Sequence, residues 1–192
     1  MLKKIEEIRR SLEHKLYLTA LSLALTIPDI CGQIEYPEYV NKKGNRLVGM
    51  QYKLWFDEWV NHYYADPTGW TEDYSKAKNP YFTGQMCYDL RCSYLHSGNV
   101  DIQKFGEKED KENLYSYHFE LCTNGCNSIG TRWETPQRKS GKIKKLRSVR
   151  IEVGELCEYL CISAEKYYEY KGKKAFFDNQ VKIVDIQEEL KK

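Results

Sequence analysis

Apolar residues recur three or four positions apart from the first turn of the chain: Leu2, Ile5, Ile8 and Leu12, continued by Leu16, Ala20, Leu23 and Ile27. That spacing marks a helix face and predicts one long helix over residues 3–26. Its second half is apolar on most sides, as expected of a helix entering the middle of a bundle. Pro28 should end it, because a proline pushes the residue before it out of the α region. Residues 28–46, "PDICGQIEYPEYVNKKGNR", then read as a connecting loop. A second helix follows at about 49–64, where Tyr52, Trp55, Phe56, Trp59 and Tyr63 form an aromatic stripe whose simplest role is core. Asp66-Pro67, Gly69 and Asn79-Pro80 make residues 65–81 a loop. The third helix starts near Phe82, with Thr83 as N-cap and Gly98 as the residue that stops it.

Beyond residue 100 the period shortens to two. Residues 114–122 and 146–153 alternate as strands do, and a basic, glycine-containing stretch separates them, which predicts a β-hairpin. Leu156, Tyr159, Leu160, Ser163 and Tyr167 then share one face of a fourth helix that ends near Gly172. The tail at 181–192 is too short to place, and there is no internal repeat. The pattern gives a mainly α fold: a helical bundle with a small β-hairpin insertion at about 114–153, between the third and last long helices. Residues 1–192 form a single domain.

Composition supports one core, since 41% of residues are apolar and 14% aromatic. A net charge of +2 does not mark a nucleic-acid binder by itself, but the charge is unevenly spread. Between residues 132 and 150 eight cations face the single carboxylate of Glu134. Arg132, Arg138, Lys139, Lys142, Lys144, Lys145 and Arg147, with Trp133, are candidates for contacting RNA phosphates and stacking a base. The alternative is a solvated arm whose charges protect an edge strand from aggregation.

Seven cysteines without a compact spacing pattern read as reduced thiols, which places the chain in the cytoplasm. Cys122 with Cys126 and Cys157 with Cys161 form two C-x3-C pairs, with His118 on the strand face of Cys122. They are zinc candidates to be weighed against ordinary buried cysteine, and neither a metal nor another cofactor is expected. The apolar run at 16–27 is twelve residues, short of the roughly 20 needed to cross a bilayer, and Glu6, Glu7 and Glu13 precede it. No membrane segment or export signal is therefore expected.

One stretch carries candidate chemistry. "RCSYLHSGN", residues 91–99, puts Arg91 and His96 five positions apart near a helix end. On a continuous helix they stand about 140° apart. Fraying of the last turn before Gly98, with a second subunit as the opposite wall, would bring both to one groove. There an arginine can grip a phosphate with two hydrogen bonds and a histidine can move protons near neutral pH. The alternative is structural, with Arg91 paired to Asp89 or Glu58 and His96 offsetting the helix dipole.

"RCSYLH" matches the R-x4-6-H signature of the HEPN superfamily. "ALSLALTIPDICG", "YKLWFDEW" and "YDLRCSYLHSGN" resemble its helices in order over about residues 1–100. The resemblance implies a four-helix bundle that dimerises with its two motifs facing each other. It also implies metal-independent RNA cleavage by 2′-hydroxyl attack, with His96 moving protons and Arg91 stabilising the phosphorane. Toxin, host-defence or stress-response roles, and an antitoxin or regulatory protein as partner, go with it. Cys92 departs from the pattern, since active members commonly carry a polar residue after the arginine. A non-catalytic bundle that binds RNA, nucleotides or a protein is the rival reading.

Overall fold

The computed structural model describes residues 1–65, 80–97, 105–109, 113–133, 143–179 and 186–189. Side chains at 96–97, 105–109, 113–118, 131–133, 143–147 and 188–189 fall outside that description. The fold is mainly helical with a small sheet, built from α1 (Leu2–Glu13), α2 (Tyr17–Ala24), α3 (Ile27–Glu35), α4 (Val48–Trp59), α5 (Gly84–Ser97), α6 (Val153–Lys171) and α7 (Ile186–Glu189), with strands β1 (Phe105–Glu109), β2 (Asn113–Cys122), β3 (Ser128–Trp133) and β4 (Ile143–Glu152) between α5 and α6.

The expected first helix is three helices. The chain reverses after α1 because Lys15 takes a left-handed conformation, φ 57°. The amide of Leu16 donates to Ser11 O at 2.8 Å and that of Lys15 to Leu12 O at 2.9 Å, a paired closure that satisfies the last carbonyls of the helix. Pro28 does the opposite of what was expected: it sits in the first turn of α3, where its missing N–H leaves no hydrogen bond unmade. Residues 28–46 therefore begin as helix rather than loop. The nearly continuous run Tyr17–Glu35 is the one stretch among the described residues long and apolar enough to cross a membrane, with a mean hydropathy of 1.2. In the structure 44% of that window is buried inside the protein, where Ala20, Leu21, Ala24, Leu25 and Ile27 join the core.

The aromatic stripe is core, as its spacing predicts. Tyr52, Trp55 and Phe56 of α4 are fully buried, and a 3-10 turn, Asn61–Tyr64, adds Tyr64. Phe82 stands edge-on to Phe56 at 5.6 Å between ring centres, and Tyr167 of α6 stands edge-on to Trp55 at 5.8 Å. Both arrangements set positive ring edges against negative faces. Two glycines hold α4 between its neighbours. A Cβ on Gly32 of α3 would lie 2.4 Å from the carbonyl oxygen of Gln51, and one on Gly84 of α5 would lie 2.4 Å from that of Lys53. Helix α6 packs Leu156, Leu160, Ser163 and Tyr167 inward, as read from its period, and ends at Gly172, φ 77°. Arg9 of α1 ties it down through Glu158 and Glu165, at 2.7 and 2.6 Å.

The insertion is more than a hairpin. Its strand order is β1-β2-β4-β3. The two segments expected to form the hairpin, here β2 and β4, are neighbours but run parallel, from Asn113 opposite Ile143 to Cys122 opposite Glu152. The antiparallel partner of β4 is β3, and that of β2 is β1. The sheet meets the bundle at one end, where Phe119 packs on Phe82 at 6.0 Å, Val149 and Ile151 are buried, and β4 runs straight into α6. Glu152 caps that helix by accepting from the Glu155 amide at 2.6 Å.

Gly32→Ala should push α3 off α4, because the added methyl meets backbone that cannot rotate away. A loss of about 1–3 kcal/mol is expected in a denaturant titration. Gly130→Ala, where a Cβ meets nothing within 4 Å, should change the midpoint little.

Candidate functional site

Helix α5 begins with two caps. Thr83 Oγ1 accepts from the Met86 amide at 3.4 Å, as its position predicts, and Asp57 of α4 accepts from the Gly84 amide at 2.7 Å. From that start Cys87 and Leu90 face the core, and Arg91 follows at its margin. The Arg91 side chain is 17% exposed, and its Nη2 donates to Asp29 Oδ2 of α3 at 2.6 Å, with Asp29 18% exposed. The partners considered from sequence are engaged elsewhere: Glu58 accepts from the Tyr36 hydroxyl and Asp89 from Gln85 at 2.9 Å. Arg91 also lies over the Tyr88 ring, 5.9 Å from its centre, with Nη1 4.0 Å from the Cys92 sulfur.

A second guanidinium approaches the same carboxylate. Arg46 donates to the Asp29 carbonyl at 3.2 Å, places Nη2 3.9 Å from Oδ1, and donates through Nε to Gln51 at 2.9 Å. Gln51, fully buried, passes the network on by donating to the Tyr36 carbonyl at 2.7 Å. These three charged groups carry an excess of one positive charge, the sign that suits a phosphate. Burial works against the charged form of Arg91, but Asp29 and the contacts to Cys92 and Asp29 outweigh it and hold its proton affinity above the ordinary arginine value. Burial and the hydrogen bond to Cys92 push the Tyr88 hydroxyl up.

Helix α5 is unbroken through Ser97, so Arg91 and His96 stand about 140° apart on it, and the fraying expected before that point is not seen. The His96 side chain and Gly98 lie outside the described residues. Asp29 and Arg46 were missed in the sequence because both fell in a presumed loop. An aspartate directly after Pro28 is a first-turn helix signal that could have found Asp29.

Of the candidates for RNA contact, Arg132 and Trp133 lie on β3 and Lys144, Lys145 and Arg147 on β4, with their side chains outside the described residues. Arg138, Lys139 and Lys142 lie wholly outside them. The two cysteine pairs occupy different places: Cys126 is exposed after the end of β2, whereas Cys157 and Cys161 are buried in α6. Burial pushes Cys157 up and Cys161 up to about 12, which disfavours the thiolate a metal requires. Among the described residues no group of three or more histidine, cysteine or acidic side chains is placed to hold a metal ion.

No protein-family model, curated protein or solved structure matches the chain. Asp29→Asn and Arg91→Gln should each destabilise the fold. A double-mutant cycle is expected to give a coupling of about 1–3 kcal/mol for a pair this shielded. Additive effects would show that the ion pair does not form in solution.

Proposed function

We propose that the chain is a HEPN-like, metal-independent endoribonuclease that acts as a homodimer in the cytoplasm, in a toxin, host-defence or stress-response setting. The observation that carries the proposal is the fixed guanidinium of Arg91, oriented by Asp29 and borne on the same continuous helix as His96. Because the two residues diverge on one helix, a shared cleft needs a second copy of α5 to face the first.

In that cleft the 2′-hydroxyl oxygen forms a bond to the adjacent phosphorus and the bond to the 5′-oxygen breaks. A histidine takes the proton from the 2′-hydroxyl, and the 5′-oxygen leaves with a proton returned to it. Arg91 stabilises the extra negative charge of the phosphorane, which is the larger part of the work in such a site. The products are a 2′,3′-cyclic phosphate and a 5′-hydroxyl.

The Asp29–Arg91 ion pair also favours a second reading, because it already answers most of the charge of the guanidinium. With Cys92 after the arginine, it fits a non-catalytic bundle that binds RNA, nucleotides or a protein partner, antitoxin or regulator included.

Incubation of purified protein with RNA in excess chelator decides between them. Wild type should cleave and leave cyclic phosphate ends, while His96→Ala should slow cleavage about 100- to 10,000-fold. Equal cleavage by both proteins, or none by either, would give the chain to the binding reading.

A further inference from the structure

The strand register sorts the aromatic residues of the insertion onto one side, and we infer that this face of the sheet binds single-stranded RNA by stacking its bases. Successive residues of a strand alternate between faces, and residues paired in register share one. Phe119, Val149 and Ile151 define the face that packs on the bundle. Outward along it come Tyr117, paired with Arg147, and Tyr115, paired with Lys145. Strand β3 adds Trp133 opposite Lys145, and β1 adds Phe105 opposite Tyr117 and Lys108 opposite Tyr115.

Four aromatic residues and three cations therefore share the outer half of this face, with no carboxylate at any of these register positions. At the corresponding places the other face has Glu109, Ser116, Arg132 and Leu146, and no phenylalanine, tyrosine or tryptophan. The aromatic set lies beyond the part of the sheet that the bundle uses, since Tyr115 is about 13 Å further along the strand than Phe119. Rings on adjacent strands sit about 4.8 Å apart, so together they offer a row of flat apolar faces.

A polyanion with exposed rings matches both halves of this chemistry. Single-stranded RNA presents every base face for stacking and its phosphates to the lysines and arginine, whereas a duplex hides those faces in its own stack. Charge complementarity disfavours a basic or purely aliphatic protein surface as occupant. The inference rests on reading the chain as a protein that acts on RNA, for which it supplies the strand-holding surface.

Binding is best measured by fluorescence anisotropy with a labelled mixed-sequence 12-nucleotide RNA, using the His96→Ala protein so that cleavage does not interfere. Single-stranded RNA should bind at least tenfold more tightly than a duplex of the same sequence. Trp133→Ala and Tyr117→Ala should each weaken binding about tenfold, within the usual worth of one stacked base. Trp133→Phe, which keeps a ring, should retain most of the affinity, and Ser116→Ala on the other face should retain all of it. Unchanged binding by Trp133→Ala and Tyr117→Ala, equal affinity for duplex, or a DNA strand of the same sequence binding tenfold more tightly would overturn the assignment. If wild type cleaves RNA while these variants bind normally, this inference falls alone. If the strand binds here and nothing is cleaved, only the nuclease reading falls.

Discussion

Everything near Arg91 depends on how closely α4 is gripped by its neighbours. Gly32 and Gly84 let the backbones of α3 and α5 come against the carbonyls of Gln51 and Lys53, closer than any side chain would permit. Because α4 is narrow at both contacts, a residue of α3 can reach across to one of α5. Asp29 and Arg91, 62 positions apart in the chain, meet at 2.6 Å for that reason. The buried aromatic residues of α4 supply the apolar free energy, and the glycines decide the spacing at which it is gained.

The ion pair is held in a balance that either functional reading can use. Two guanidiniums approach one carboxylate at the edge of the core, where water still reaches but screens weakly. Removing one partner would leave the other partly buried and uncompensated, so the pair constrains the helix arrangement even where its net contribution to stability is small. A guanidinium held in this way loses little freedom on meeting an anion, which is what binding or catalysis requires of it.

The long periodic elements were legible in the sequence because periodicity reports a buried face directly. Tyr52, Trp55 and Phe56, and the inward residues of α6, stand where their spacing put them. The break after Glu13 was not legible, since the left-handed residue that makes it is Lys15 rather than a glycine. Pro28 was misread because the same residue can stop one helix or open the next, and only the surrounding fold chooses. Alternation identified β2 and β4 as strands but carries no information on direction, so their parallel pairing was invisible. Arg91 and His96 could be picked out as a string of letters. Asp29 could not, because its role depends on two helices meeting.

The parallel pairing of β2 with β4 governs how the chain can assemble. These strands cannot zip from a shared turn, since the chain must first run back through β3 before β4 enters between them. Helix α6, which completes the core, follows directly from β4 and lies far in sequence from the helices it covers. Closing that span from an open chain is entropically costly and slow, whereas a sheet already formed shortens the effective loop. The topology thus favours an order in which the insertion gathers first and α6 docks last, leaving α4 the last of the core to be sealed from water.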